Sequence, residues 1–359
     1  MRWRIRGMRV PHHSTKGGSV RIGVLASVAH RTPPFHYGPW ELVASTLAEG
    51  FVDRGHDVTL FATADSWTSG TLCGTAPHGY EEDPDVDPGV WSALHVATTF
   101  EQADRLDVLA NHFDFLPLTF SRLVRTPVVT TIHGFSSQRI VPVFQAYADI
   151  AHYVAISAAD RHPDLPYAAT IHHGIDTSAF TFRADPGEHL LFLGRIHPDK
   201  GTHLAVEVAR RSGVPLVIAG IVHDEDYFLE AVRPHIDGRL VQYVGSVGPK
   251  ERDALLGGAL GLLHLVEFAE PFGLSVVEAL ATGTPVIARP RGSMPELVQH
   301  GRTGFLVDDL DAAVAAVSAL PRLDRAVCRA DAVERFDQHR MVDDYLELFE
   351  RVVGQSRFR

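Results

Sequence analysis

The stretch that decides the fold runs from residue 189 to residue 211 and reads HLLFL (189–193), GRIHPDKG (194–201) and THLAVEVARR (202–211). The first segment is short and apolar and ends at a glycine, which is typical of a buried strand. The last segment has apolar residues at helical spacing. A strand, a glycine-containing loop and a helix in this order begin a βαβ unit, which needs a parallel neighbouring strand. The stretch therefore predicts an α/β fold.

The same alternation of strands and helices extends in both directions along the chain. It begins at a predicted strand over Val20–Ala26 and ends at one near Phe305–Val307. The pattern lapses once, over Phe180–Glu188, where polar residues surround Pro186 and Gly187. Two α/β runs joined by such a segment predict two Rossmann-like domains with parallel sheets that face a cleft.

These patterns divide the chain into four predicted parts. They are a tail over 1–19, a first domain over 20–182, a second domain over 187–335 and a C-terminal helix over 338–359. The tail carries several arginines but no apolar core of 7–15 residues, so a secretory signal peptide is disfavoured.

The composition of the chain argues against several classes of protein. The chain has 359 residues, which at roughly 100–200 residues per domain agrees with two domains. Its 33 Lys and Arg against 44 Asp and Glu give a formal net charge of −11, which argues against sequence-independent nucleic-acid binding. No apolar run reaches 18 residues, so no transmembrane helix is predicted. Two distant cysteines, Cys73 and Cys328, offer no disulfide framework, and the sequence favours a cytoplasmic protein.

Two loops have features that suit a phosphate group. Gly194–Gly201 follows a predicted strand and carries two cations, Arg195 and Lys200, one able to pair in a bidentate manner and the other a point charge. Gly38 precedes Pro39 at the start of a predicted helix, whose free N–H groups favour an anion. No G-x-G-x-x-G fingerprint accompanies them, which weakens a dinucleotide oxidoreductase hypothesis.

A third loop joins the predicted strand Leu262–Val266 to a helix and reads EFAEPFGLSVVEAL (267–280). The N–H groups of Gly273 and Leu274 would point at an anion at the start of that helix. Glu278 lies one helical turn further on, where its carboxylate can accept hydrogen bonds from ribose hydroxyls, while Glu270 stays in the loop beside the reacting end.

Together these residues resemble the large family 4 of retaining glycosyltransferases, which have the GT-B fold and are also described as glycosyl transferases group 1. The resemblance runs from about Val20 to about Tyr345 and is more specific in the second half. It rests on the following segments: Gly194–Gly201 as Gly-Arg-x4-Lys-Gly, Glu270 and Glu278 as Glu-x7-Glu with Pro-Phe-Gly after the first Glu, Thr284–Ala288, Pro295-Glu296, Gly301–Phe305, and His133-Gly134 in the first half.

The resemblance implies an enzyme of carbohydrate metabolism that moves a sugar from a nucleoside-diphosphate sugar to a hydroxyl acceptor with retention, without a metal or other cofactor. The first domain is then the acceptor side, and the last helix packs back toward it. Four residues would be catalytic, namely His133, Arg195, Lys200 and Glu270. Six would bind the donor, namely Gly38, Gly194, Phe272, Gly273, Leu274 and Glu278. The donor base, the sugar and the acceptor stay open, with a soluble acceptor mildly favoured.

Other hypotheses fit the sequence less well. The 21 histidines suggest a metal site, but no His-Glu-x-x-His occurs and their spacing is scattered. Asp83–Asp87 has the spaced carboxylates of a calcium or GT-A site, yet Pro88 stands where a calcium loop needs Gly, which favours an exposed acidic loop. A sugar-nucleotide 2-epimerase of similar fold and a non-catalytic sugar-nucleotide-binding protein remain the alternatives.

Overall fold

The computed structural model of the protein describes residues 18–135 and 137–356. The predicted tail over 1–19 lies outside these residues except for its last two positions. The strands are β1 (Arg21–Leu25), β2 (Asp57–Ala62), β3 (Thr71–Gly74), β4 (Val108–Asn111), β5 (Val128–Ile132), β6 (His152–Ala155), β7 (Tyr167–Thr170), β8 (Leu190–Leu193), β9 (Leu216–Ala219), β10 (Val241–Gly245), β11 (Gly261–His264), β12 (Val286–Ala288) and β13 (Gly304–Leu306). The helices are α1 (Pro39–Asp53), α2 (Pro88–Glu101), α3 (Val141–Ala146), α4 (Thr202–Ser212), α5 (Glu225–Tyr227), α6 (Pro249–Gly258), α7 (Leu274–Thr282), α8 (Met294–Leu297), α9 (Leu310–Val317), α10 (Arg325–Phe336) and α11 (Gln338–Ser356).

The strands form two separate parallel sheets within the described part of the chain. The first has seven strands in the order β3-β2-β1-β4-β5-β6-β7, and the second has six in the order β10-β9-β8-β11-β12-β13. Most strand residues are buried, because helices cover both faces of a sheet built from crossover connections. The predicted fold class, two Rossmann-like domains with parallel sheets, is confirmed.

The sheet order determines which loops can form a ligand site. Each order reverses direction once, between β1 and β4 in the first sheet and between β8 and β11 in the second. Ligands of open α/β sheets bind beyond the carboxyl ends of the strands at such a switch point. The loops that leave β1, β8 and β11 are the three loops whose sequences suggested phosphate binding.

The edge strand β3 and the helix α2 are among the elements that were not predicted. Strand β3 has only four residues, with Leu72 and Cys73 half-buried, so its apolar signal is weak. Helix α2 follows the acidic loop over 83–87, and the Asp87 carboxylate caps it by accepting the Val90 N–H at 2.8 Å. The acidic loop is therefore part of a strand–loop–helix unit, which the proline-rich sequence obscured.

The last helix returns to the first domain. Its apolar face packs on α1, with the Phe51 and Phe349 rings 5.4 Å apart, and joins the core beneath the first sheet. The buried Tyr345 hydroxyl lies 2.6 Å from the Thr131 hydroxyl of β5. No helix in the described residues is both long enough and apolar enough to cross a membrane.

A carboxylate at the start of α8 connects the two domains. Glu296 accepts hydrogen bonds from the N–H groups of Ala158 and Ala159 at 3.0 and 2.8 Å, and from His172 Nε2 at 2.9 Å. All three donors belong to the first domain. Asp160 lies in the same loop as Ala158 and Ala159. Burial together with the negative charge of Glu296 raises the pKa of the Asp160 carboxyl to about 7.

We predict that Asp160→Asn stabilises the protein at pH 8 by about 1–2 kcal/mol and changes little at pH 5. Because the folded pKa lies above the unfolded one, the folded state holds an extra proton between pH 4 and pH 7, so stability falls as the pH rises through that range. Asparagine removes this titration. Urea unfolding at both pH values measures the effect, and an equal change at pH 5 and pH 8 would contradict it.

Candidate functional site

A cavity of about 410 Å³ lies between the two domains, within the size range of small-molecule sites. It is lined from both sides. All ten residues that the sequence singled out contribute to its wall: Gly38, His133, Gly194, Arg195, Lys200, Glu270, Phe272, Gly273, Leu274 and Glu278.

A buried ion pair joins the two loops of the second domain that face this cavity. Lys200, at the end of the loop after β8, pairs with Glu270, which lies in the loop after β11. His264 Nε2 lies 3.5 Å from the same carboxylate. Burial alone would raise the pKa of the Glu270 carboxyl, but the contacts with His264 and Lys200 lower it to about 2. Glu270 is therefore anionic at any physiological pH.

Arg195 lies in the same wall but forms no ion pair with a described residue. Its guanidinium lines the cavity, and no carboxylate of the described residues lies within ion-pairing distance of it. The phenol of Tyr37 faces it from the first domain, and the two are close enough for the arginine charge to act on the pKa of that phenol. A guanidinium held in a cleft without a partner is able to bind a phosphate in a bidentate manner.

The start of helix α7 adds backbone donors to this wall. Gly273 precedes the helix and no side chain caps its N-terminus. The first N–H groups of the helix are therefore available to an anion in the cavity, and the helix dipole favours negative charge there.

Glu278 lies on the second turn of α7 and is 4% exposed. Arg252 of α6 approaches it, with Nη1 3.2 Å from Oε1. Burial still raises the pKa of the Glu278 carboxyl, because it outweighs the charge of this arginine. Sequence reasoning missed Arg252, whose only signal is its place in a helix that begins beside the cleft.

Phe272 contributes to the site through its backbone and not through its ring. The ring is buried and packs against His172 and His173 of the first domain, at centroid distances of 5.8 and 5.1 Å. It therefore holds the loop after β11 against the opposite domain.

His133 belongs to a chain of three buried histidines. Its Nε2 lies 3.0 Å from His112 Nδ1, and its Nδ1 lies 3.2 Å from His173 Nε2. Trp40 stacks on its ring at 5.3 Å with an interplanar angle of 20°. Both ring nitrogens are thus occupied, so in this arrangement His133 offers the cavity the rest of its ring and no free hydrogen-bonding nitrogen.

A signal for these three histidines is present in the sequence, although their spacing along the chain does not show it. Each histidine follows the end of a strand of the first sheet, namely β4, β5 or β7, and parallel strands end at the same edge. Among the described residues no group of three His, Cys, Asp or Glu side chains is arranged to hold a metal ion.

Comparison with known proteins agrees with this geometry. Residues 177–323 match the family model described as glycosyl transferases group 1. The chain is 32% identical over 193 residues to the glycogen synthase of Mycobacterium tuberculosis strain H37Rv, a match that covers 51% of this chain and 46% of that protein. It is 30% identical over 218 residues to the D-inositol 3-phosphate glycosyltransferase of Mycolicibacterium smegmatis, covering 53% and 48%.

The chain carries a glycosyl transferases group 1 domain. That domain contains Arg195, Lys200, Glu270 and Glu278. The match spans about half the length of either relative.

Solved structures resemble the whole molecule. A glycosyltransferase involved in avilamycin A biosynthesis superposes with a TM-score of 0.69 at 23% identity, covering 93% of this chain and 98% of that one. The Anabaena protein HepE, in complex with UDP and glucose, superposes with a TM-score of 0.72 at 20% identity, covering 92% and 100%. The group 1 domain and the first domain thus form the predicted GT-B fold.

The two walls of the cleft meet at Gly134. This residue has φ +112°, and a Cβ there would lie 2.8 Å from Pro271 Cγ in the loop of the group 1 domain. Only glycine combines this backbone conformation with so close an approach.

We predict that Gly134→Ala destabilises the protein by about 2–4 kcal/mol, from the left-handed backbone and the contact with Pro271 together, and weakens nucleotide binding because the Pro271 loop must move. Gly213→Ala is the control, since Gly213 has φ +72° and open space around it and should lose only about 1 kcal/mol. Urea unfolding and calorimetric titration with nucleoside diphosphates measure both effects. Equal losses in the two variants would contradict the contact across the cleft.

Proposed function

We propose that this protein transfers a sugar from a nucleoside-diphosphate sugar to a hydroxyl of an acceptor. The observation that carries the proposal is the convergence of Arg195, Lys200 and the open N-terminus of α7 on one wall of the cleft. A diphosphate is the ligand that such a set of donors suits best. The group 1 domain and the UDP and glucose held by the structurally similar Anabaena protein support this donor class.

In this proposal each part of the donor has its own place in the cleft. The diphosphate lies between Arg195 and the amides of Gly273 and Leu274, and the ribose lies beside Glu278. Gly194 and Gly38 allow the backbone of either domain to approach the donor. Glu270 and the backbone at Phe272 lie at the sugar end, where the carboxylate accepts hydrogen bonds from sugar hydroxyls.

Lys200 has two partners in this proposal. In the free protein it pairs with Glu270, and with donor bound it also neutralises the phosphate next to the bond that breaks. Fixed cations directed at the charge that develops on the leaving diphosphate lower the barrier without a metal ion. We therefore propose a metal-independent reaction.

We further propose that the reaction retains the configuration of the anomeric carbon. Among the described residues that line the cleft the carboxylates are Glu270 and Glu278, and each is paired with a cation. Neither is free to act as a nucleophile, so retention, which the sequence resemblance implies, would proceed by attack from the side of the leaving group and not by double displacement. The C1–O(phosphate) bond breaks, the acceptor oxygen bonds to C1, and the acceptor proton passes to a phosphate oxygen of the departing nucleoside diphosphate. His133 and Trp40 would support the sugar from the first domain.

We expect Arg195→Ala to lower kcat/KM by about 10²–10³-fold with little change in stability, because the guanidinium acts on the leaving group and has no ion-pair partner among the described residues. Lys200→Ala should lose at least as much activity and also stability, since it leaves Glu270 buried and unpaired. Lys250→Ala is the matched control, because this lysine is exposed on α6. Nucleotide release assays and thermal melts measure these effects. Full activity in both site variants would refute the proposed donor site.

Metal independence and retention have direct tests. Excess EDTA should leave the transfer rate unchanged, and proton NMR of the first product should show the anomeric configuration of the donor. Loss of activity in EDTA that Mg²⁺ or Mn²⁺ restores, or an inverted product, would contradict the respective part of the proposal.

Incubation with donor alone separates transfer from 2-epimerisation, since an epimerase forms an isomerised sugar nucleotide without an acceptor.

A further inference from the structure

We propose that the acceptor is a carbohydrate or polyol that carries no phosphate or carboxylate group. This inference rests on the proposed function and names the class of its second substrate. It follows from the distribution of charge and of aromatic side chains over the first-domain side of the cleft.

The cations of the cleft belong to one wall. Arg195, Lys200 and Arg252 all lie in the second domain, and the latter two are paired with Glu270 and Glu278. Among the described first-domain residues that line the cavity, none is Lys or Arg. The positive charge available in the cleft is thus concentrated where the donor diphosphate binds, and the opposite wall has none for a second anion.

Two of the three histidines of the first-domain wall, His133 and His173, do not supply that charge. Burial lowers the pKa of His173 to about 3, and burial with the neighbouring histidines lowers the pKa of His133 well below its usual value. Both rings are neutral at physiological pH. His173 also has a buried Nδ1 without a hydrogen-bond partner among the described residues.

The loop that forms this wall exposes aromatic rings. Phe35 is 66% exposed and Tyr37 41%, and Trp67, whose backbone N–H donates to the Thr32 carbonyl at 2.8 Å, is 58% exposed. Single exposed aromatic residues are ordinary on protein surfaces, but Tyr37 lines the main cavity and Phe35 lines a second one. Such rings can pack against the C–H faces of a sugar, which are apolar.

A second cavity continues from the same loop, away from the donor. It is lined by Phe35, Asp65, His78, Glu82, Asp83 and Pro84. Arg31 is the cation nearby; its guanidinium donates to the Asp65 backbone carbonyl at 3.2 and 3.1 Å and lies 4.1 Å from the centre of the Phe35 ring, and these contacts leave it positively charged.

Three carboxylates line this second cavity. Asp65, Glu82 and Asp83 can accept hydrogen bonds from hydroxyl or ammonium groups, and they repel anions. A phosphorylated acceptor would meet three carboxylates against the one guanidinium of Arg31 in this cavity, and a wall without Lys or Arg in the main one. The D-inositol 3-phosphate glycosyltransferases named above are therefore poor guides to the acceptor of this protein.

The test compares matched acceptor pairs with the full-length protein. The donor is first identified by thermal shift and calorimetry with UDP-, ADP- and GDP-sugars, which tests the proposed function separately from the acceptor. Nucleotide release is then measured with glucose and glucose 6-phosphate, glucosamine and glucosamine 6-phosphate, and myo-inositol and D-inositol 3-phosphate. We expect the unphosphorylated member of each reacting pair to have a kcat/KM at least tenfold higher, with glucosamine no worse than glucose.

Two variants test whether the acceptor contacts the Phe35 ring. Phe35→Ala should raise the KM for the acceptor by about three- to tenfold through loss of stacking, with the donor KM unchanged. Leu123→Ala is the control, because Leu123 is 76% exposed and lines neither cavity. A preference for phosphorylated acceptors, an unchanged acceptor KM in Phe35→Ala, or donor binding with no transfer to any unphosphorylated sugar or polyol would overturn the inference. Absence of donor binding would instead refute the proposed function.

Discussion

The ion pair between Lys200 and Glu270 joins the two loops on which the donor wall depends. Each loop leaves a strand next to the switch point of the second sheet, so the pair spans the crevice where a ligand of such a sheet binds. A buried ion pair adds little net stability, because desolvation of both charges opposes their attraction. Removal of either partner is costly, however, since the other charge stays buried alone. The pair is better understood as a constraint on geometry, which holds a cation in the cleft while the donor site is empty.

The first domain supports this wall from the other side of the cleft. Pro271 lies against Gly134, the Phe272 ring packs on His172 and His173, and Glu296 accepts three hydrogen bonds from the first domain. The segment over 270–273 that carries the donor site is thus held by contacts with both domains. Relative movement of the domains would therefore change the position of the Glu270 carboxylate and of the α7 N-terminus together.

Much of the fold and of the donor side could be predicted from the sequence because both depend on local patterns. Strand, loop and helix signals around 189–211 are contiguous, and the spacing of Glu270 and Glu278 follows from one turn-to-helix transition. Strand β3 was not predicted because a short edge strand is only half-buried and has a weak apolar pattern. The engagement of both His133 nitrogens depends on strand order, since His112 and His173 are 21 and 40 residues away from it in the chain. The pairing of Arg252 with Glu278 likewise connects two helices that only the tertiary structure brings together.

The net charge of −11 has a different meaning once these positions are known. An acidic chain that binds a diphosphate must gather its cations in one place, and the described cleft has them on the second-domain wall alone. His133 and His173, which are buried and have a lowered pKa, add no charge to the opposite wall, so the proposed donor anion would be attracted to the second-domain side of the cleft. Such asymmetry orients the donor before any contact with its sugar is made, because the electrostatic field in a low-dielectric cleft acts over a longer range than hydrogen bonds do. It also separates the two substrates by charge, which leaves the aromatic and acidic surface of the first domain to select the acceptor.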